Sequence, residues 1–279
     1  MEVCDMNNIV SRLVLSILAP KTPEKRSLSI HQEHELLMKL EKAGLLPQDA
    51  QRVIDSKGNA IAEEMLYVLR NGVFEPTKSQ KAAKEIMGNN FFGIEDAIEH
   101  FKLRPTRSEI ATLQDVPFSE ATLRACKDTH VLVAVFSLSI LEMLSNKMLK
   151  PLFSVGNSEK APWFKKEKFF WKEGEVRWCL IRKNPEDDSF NEEWVDQLSG
   201  FGMHSDPAQV RMAVYATLGH FLKTGEKMFA EGMARCAELD ESGRRVTVGP
   251  FKEDGLRIQA WWDDSRAYFV GAASAHKEE

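Results

Sequence analysis

Few side chains in this sequence stand at a spacing that could do chemistry. His31 and His34 lie three apart in His31-Gln32-Glu33-His34-Glu35, which on a helix places two imidazoles on one face, as a metal site needs. The run is not HExxH and no third ligand is marked, so a solvated first helical turn, with Glu33 and Glu35 favoured by the helix dipole, is the stronger reading. Asp263 and Asp264 are adjacent carboxylates. On a strand they point to opposite faces, and only in a turn can they converge. A calcium cage needs more oxygen ligands than the sequence marks, which leaves caps or an ion pair with Arg266 as their role. Cys4, Cys126, Cys179 and Cys236 lie far apart, with no CxxC spacing. GxSxG, P-loop and GxGxxG patterns are absent from the sequence, so no catalytic residue, metal or cofactor is expected. What remains is binding chemistry. Trp261 to Tyr268 gathers two tryptophans, an arginine and a tyrosine, residue types that favour anchoring at interfaces, although Trp in the core of a closing sheet accounts for them too. Trp163 to Lys172 mixes bases with aromatics, a composition that can stack on single-stranded nucleic acid but more often anchors a loop into a core.

The elements that must position these residues divide into two parts. From Ser29 the pattern is helical: Leu36, Leu37, Leu40 and Leu45 recur at spacings of three to five, and Gly44 suits a C-cap. Pro47 opens a second helix with Val53 and Ile54 on one face. A third is expected over 59–70 with Ile61, Met65, Leu66 and Leu69 as its stripe, stopped by Asn71-Gly72. A fourth runs from Thr77, its cap, to Met87. Residues 89–127 continue as helix, with Phe91, Phe92, Ile94, Ala97, Ile98 and Phe101 on a broad apolar face and Ser119 capping the last helix. At His130 the character changes. Val131 to Phe136 reads as a strand buried on both faces, and all six tryptophans lie beyond residue 162. A boundary is therefore placed near 128, dividing a helical part, 1–127, from a second domain, 128–279. In the latter, Trp178–Lys183 reads as a strand and Pro207–Phe221 as an amphipathic helix with Val210, Val214, Leu218 and Phe221 inward. Short alternating segments at 233–236, 246–248, 256–258 and 268–270 follow, separated by turn signals at 240–243, 249–250 and 254–255. The class expected is α+β, a run of helices and then short antiparallel strands.

Length and composition limit the options. A chain of 279 residues with 43% hydrophobic content and mixed charge is that of a globular protein. A net charge of -5 argues against general nucleic-acid affinity, which needs a basic surface. The apolar run from Ile9 to Ala19 is interrupted by Arg12, lacks a basic leader and is too short to span a bilayer. Reduced thiols, a cytoplasmic location and no membrane partner are the expectation.

The C-terminal residues carry a resemblance. Arg245, Val246, Val248, Gly249, Phe251, Gly255, Leu256, Ile258, Trp261, Asp263, Asp264, Arg266, Val270, Gly271, Ser274, Ala275 and Lys277 form a frame that resembles the variable repeat of target proteins of diversity-generating retroelements. The segments 218–229, 178–183 and 129–136 are similar to stretches of the same proteins. The resemblance implies a C-type-lectin-like fold, related to that of the formylglycine-generating enzyme, with a diversified ligand-binding surface. Its variable positions would be Thr247, Pro250, Arg257, Ser265, Ala267, Tyr268 and Phe269, all encodable by a codon ending in C or T. Trp261, Asp263, Asp264, Arg266 and Gly271 would be structural frame, and Trp262, Gln259, Lys252 and Glu253 would have to be invariant. The end, His276-Lys277-Glu278-Glu279, departs from the aromatic residue near which such proteins often stop. No Glu-Pro-Asn or Gln-Pro-Asp triplet of the calcium-dependent lectins is present, and Cys179 and Cys236 are each single in their segments.

The leading expectation is a non-enzymatic recognition protein whose C-terminal part displays those positions to a ligand, itself expected to be a protein, while the helical part docks onto a partner protein. Tyr268 and Phe269 are the expected anchors, one of them facing inward if they lie on a strand. A second reading is a nucleic-acid-associated regulator using Trp163–Lys172 or the helical part, where Lys102, Arg104, Arg107 and Lys127 supply charge. A third is an oxidase or hydrolase on the lectin-like scaffold, which requires a pocket converging on Cys179, Cys236 or Asp263–Asp264.

Overall fold

The computed structural model of the chain describes residues 28–154 and 162–279, so the apolar run at 9–19 lies outside the described residues. Contacts divide the chain into two compact units, Met1–Val73 and Phe74–Glu279.

In the first unit, helix α1 (Ile30–Lys42) begins at a reciprocal cap: Gln32 N donates to Ser29 Oγ (3.2 Å) and Ser29 N to Gln32 Oε1 (3.0 Å). Helix α2 (Pro47–Ile54) starts on a proline whose missing N–H costs nothing at that position. Helix α3 (Ala60–Asn71) ends at Gly72, whose φ of 78° suits glycine. Leu37, Ala50, Val53 and Ala62 form a small core of their own.

The second unit holds helices α4 (Lys78–Met87), α5 (Ile94–Phe101), α6 (Arg107–Thr112), α7 (Glu120–Cys126), α8 (Ile140–Ser145), α9 (Lys168–Trp171), α10 (Trp194–Ser199) and α11 (Val210–Thr224). Its strands are β1 (Phe91–Phe92), β2 (His130–Val135), β3 (Arg177–Arg182), β4 (Ser205–Pro207), β5 (Met233–Leu239), β6 (Arg245–Lys252), β7 (Gly255–Trp261), β8 (Val270–Ala272) and β9 (Ser274–His276). They form two sheets, ordered β1-β2-β3-β9-β4 and β7-β6-β5-β8. Pairing is antiparallel except at β1–β2 and β5–β8. The fold is mixed α/β with two largely antiparallel sheets.

Helix α11 contacts strands of both sheets. It is buried on every side from Val210 to His220, not on one stripe as expected, because Ala213, Ala216 and Gly219 let it approach its neighbours closely. A Cβ at Gly219 would come within 3.0 Å of the Phe92 ring. Arg211, Thr217 and His220 are buried with the apolar residues, and Thr217 Oγ1 donates to Ala213 O (2.7 Å).

Four sequence expectations change. The boundary expected at 127/128 falls inside the second unit, and the division lies at 73/74. Phe91 and Phe92, read as helix, form a two-residue strand beside Leu132 and Val133, and both rings, with Ile94, Ala97, Phe101 and Leu123, bury in the same core as β2. Gly249-Pro250, read as a turn between strands, lies within β6 at a register shift between Val248 and Phe251, with a cis bond and a Gly249 φ of 103°. The strand expected at 268–270 begins at Val270, as β8; Tyr268 and Phe269 form a turn before it.

Candidate ligand-binding surface

The loop from Trp262 to Phe269 joins β7 to β8 and is held from beneath by a buried arginine. Arg235 interrupts the apolar alternation of β5, and its side chain is completely buried. Nη1 donates to Glu192 O (3.1 Å) and Gln197 Oε1 (3.1 Å), while Nη2 donates to Trp262 O (3.0 Å) and Ser265 O (2.5 Å). One guanidinium thus ties the loop to α10 and to the segment before it. Burial pulls its pKa below the usual guanidinium value, and the nearby Asp263 and Asp264 carboxylates oppose that shift.

A second arginine holds the loop from the side. Arg245 on β6 forks onto Asp263, Nε to Oδ1 at 3.1 Å and Nη2 to Oδ2 at 2.8 Å, with its guanidinium 4.2 Å from the centre of the Trp194 ring. Backbone bonds complete the frame: Trp194 N to Asp263 O (2.8 Å), Asn191 N to Ala267 O (3.1 Å) and Met233 N to Phe269 O (2.7 Å). Gln197, buried at the root of α10, donates to Ser189 O (2.7 Å) and Val270 O (3.3 Å). Gly271 has no room for a side chain, since a Cβ would lie 2.6 Å from Pro185 Cβ and 2.7 Å from Ser189 Oγ.

On this fixed backbone the loop presents aromatic side chains to solvent. Tyr268 is 85% exposed, Trp262 53% and Phe269 45%. Trp261 is half-buried and meets the Phe269 ring edge-on, with centroids 5.5 Å apart. Arg266 reaches outward to α10, with Nη2 3.1 Å from Glu193 and 3.7 Å from Asp196, and Nη1 3.8 Å from Glu192. Asp264 is exposed.

The expected display positions therefore separate. Tyr268 and Phe269 are both outward, because they occupy a turn and strand alternation does not apply. Ser265 and Ala267 are half-buried in the same loop, their carbonyls bound by Arg235 and Asn191. Arg257 is half-buried on β7 and paired with Asp254 of the preceding turn (2.7 Å). Thr247 and Pro250 are buried and display nothing. They lie on β6, between β5 and β7, whose residues from Val246 to Phe251 are all shielded from solvent. The anticipated pair of Arg266 with the Asp263–Asp264 carboxylates does not form: Arg245 takes Asp263, and Arg266 takes the acids of α10 and the segment before it. Trp262, which the frame requires to be invariant, is one of the most exposed aromatics of the loop. An arginine at an inward position of Met233-Ala234-Arg235-Cys236 was the one sequence signal for the buried anchor.

The other candidate chemistries are placed as follows. In Trp163–Lys172, Phe164, Phe169 and Phe170 are buried, Trp163 Nε1 donates to Ile258 O (3.0 Å) and Trp171 Nε1 to Lys165 O (2.7 Å), so these rings are engaged within the unit. Cys179 and Cys236 belong to different sheets and are buried as free thiols. Burial pushes Cys179 up to about 12 and Cys236 well above the ordinary thiol value, which suppresses the nucleophilic thiolate. A cleft of about 650 Å³ is lined by Lys172, Arg177, Arg211 and Glu238 among others, and contains neither of those cysteines nor the Asp263–Asp264 pair. His31 and His34 are exposed on the first turn of α1. Among the described residues no group of His, Cys, Asp and Glu is arranged to hold a metal ion, and no helix is long and apolar enough to cross a membrane.

Comparison of the chain with protein-family models, with curated proteins and with solved structures found no match.

Proposed function

We propose that this chain is a non-enzymatic recognition protein that binds a protein ligand through the Trp262–Phe269 loop. The observation that carries the reading is the pairing of outward aromatics, Trp262, Tyr268 and Phe269, with a loop backbone fixed by Arg235 and by the Arg245–Asp263 fork. Aromatic side chains exposed to water on a rigid support bury large areas on contact without a large ordering cost, which is how recognition surfaces obtain affinity. The C-type-lectin-like assignment of the unit and its diversification by a retroelement rest on the sequence frame. They are supported by the burial of the frame residues Val246, Val248, Phe251, Leu256, Ile258 and Val270 and by the exposure of Tyr268 and Phe269. The buried free thiols of Cys126, Cys179 and Cys236 support a reducing, cytoplasmic setting. Ile61, Val68 and Leu69, exposed on α3, support docking of the first unit onto a partner protein.

The test is site-specific photocrosslinking in cells that naturally express the chain. A photoreactive phenylalanine analogue at position 268 is expected to give a discrete protein adduct that the same group at Lys81, exposed on α4, does not. Equal, diffuse adducts from both positions would refute the reading. Sequencing the gene's 3′ end across a population tests diversification separately: a near-copy of the 245–277 coding segment beside a reverse transcriptase gene, differing at adenines, is the expected finding, and a uniform 3′ end without a template would remove it.

A further inference from the structure

The charges around the exposed aromatics say what kind of protein surface fits them. Between Asn184 and Val210 the chain carries Glu186, Asp187, Asp188, Glu192, Glu193, Asp196 and Asp206 and no lysine or arginine. Folding brings the middle of this acidic segment against the aromatic loop through the Arg235 bonds and the Trp194 N to Asp263 O bond. Of the arginines here, Arg235 is buried and spent on carbonyls and Gln197, and Arg245 is locked to Asp263. Arg266 faces solvent within the loop, and Glu192, Glu193 and Asp196 share it at 3.1 to 3.8 Å. Asp264, within the loop, and Glu231, two residues before the Met233 that bonds Phe269 O, are exposed as well. Glu186 and Asp187 are paired with Arg182, and Asp206 with Lys277, so the excess rests on Glu192, Glu193, Asp196, Asp264 and Glu231, which outnumber the Arg266 guanidinium; Val195, 74% exposed on α10, adds apolar area.

We infer that the occupant of this surface is a protein segment of positive charge, with lysine or arginine side chains flanking apolar ones. The inference rests on the recognition reading given above and adds the charge class of the ligand. Its apolar residues cover Trp262, Tyr268 and Phe269, and its cations meet the carboxylate collar. A ring as exposed as Tyr268 also attracts a cation to its face. Complementary charge raises the encounter rate and rejects wrong partners, and the same collar repels polyanions such as nucleic acid.

The test uses the full chain and three immobilised random-peptide pools of equal apolar content, one bearing Lys and Arg, one bearing Asp and Glu, and one uncharged. Retention of the basic pool by the wild type is expected, weakening as salt rises. Tyr268→Ala should abolish it, and the joint replacement Glu192→Gln, Asp196→Asn, Asp264→Asn should reduce it about tenfold and flatten the salt dependence. Retention of the acidic or the uncharged pool instead, lost on Tyr268→Ala, would leave the recognition surface standing and overturn the charge class alone. Basic-pool retention that survives Tyr268→Ala would place binding elsewhere on an acidic protein and overturn both. Retention of no pool overturns the charge inference, and the crosslinking result then decides the recognition reading by itself.

Discussion

Two residues of the candidate surface have opposite relations to stability, and substitution separates them. Tyr268 is exposed, so Tyr268→Ala should change the free energy of unfolding by less than about 0.5 kcal/mol. If it anchors a ligand, the same change should cost roughly 2 kcal/mol or more of binding, about a thirtyfold loss by titration calorimetry. An unchanged affinity would show that the ring is not an anchor. Arg235 is the reverse case. Arg235→Met strips the carbonyls of Glu192, Trp262 and Ser265 of their charged donor. It should lower stability by about 3 kcal/mol in urea titrations and speed hydrogen exchange across 262–267, since each bond to a charged group contributes roughly 1.5–3 kcal/mol. Native-like exchange in that loop would mean the anchor is redundant.

Among the elements, β8 is the short strand on which the loop closes. It fits only because Gly271 lets the segment through Pro185 and Ser189 lie directly against its backbone. Gly271→Ala forces a methyl to 2.6 Å from Pro185 Cβ, and overpacking of this kind typically costs about 1–3 kcal/mol. Thermal melts should show the loss, and ligand binding should weaken with it because the loop shares that support. A melting temperature equal to wild type would mean the neighbouring segment yields freely. Ser119 shows how a cap foreseen from sequence gains a partner that is not local. Its Oγ accepts from Thr122 N (3.2 Å), as a cap should, and its N–H donates to Glu279 Oε2 (2.9 Å) from the last residue of the chain.

For the molecule as a whole, two buried histidines contribute to the response to acid. Burial lowers His130 from 6.5 to about 4, and Arg182 and His276 add repulsion. Burial also lowers His220, against a partial restoring effect of its 3.2 Å contact with Glu226. Both therefore favour the neutral form more in the folded chain than in the unfolded one, and below 6.5 unfolding takes up protons. Their contribution is fully present above the unfolded value of 6.5 and is lost as pH falls through that value toward the folded one. For His130 the loss at pH 4 amounts to about 3 kcal/mol at roughly 1.4 kcal/mol per unit. The urea midpoint should be flat above neutrality and fall between 6.5 and 5, before the carboxylates titrate, and His130→Gln should flatten that slope. A slope unchanged in His130→Gln would remove the histidine as its source. The division at 73/74 gives a further expectation: residues 74–279 alone should melt cooperatively, since their core contains none of the residues of the first unit's core. A noncooperative melt would show that the first unit is needed.

What the sequence determined by itself is what neighbours within a few residues decide. The caps at Thr77 and Ser119 follow from a side chain reaching an N–H three residues on, and β2, β3 and the β5–β7 strands follow from alternation or a short apolar run between turns. Tyr268 and Phe269 were legible as outward candidates, though through a frame that treated them as a strand. Tertiary structure alone decided the rest. Thr247 and Pro250 are display positions only by the resemblance, and they are buried because β6 lies between β5 and β7. Phe91 and Phe92 carry helical spacing and pair as a strand because β2 offers them an open edge, which moves the boundary to residue 73. The resemblance marks Arg245 and Arg266 as frame without naming their partners, and Arg235 is marked only by its place in an apolar segment. Their roles depend on the carbonyls and carboxylates described above, which lie from 18 to 74 residues away along the chain, and long-range pairing of that kind leaves no local pattern to read.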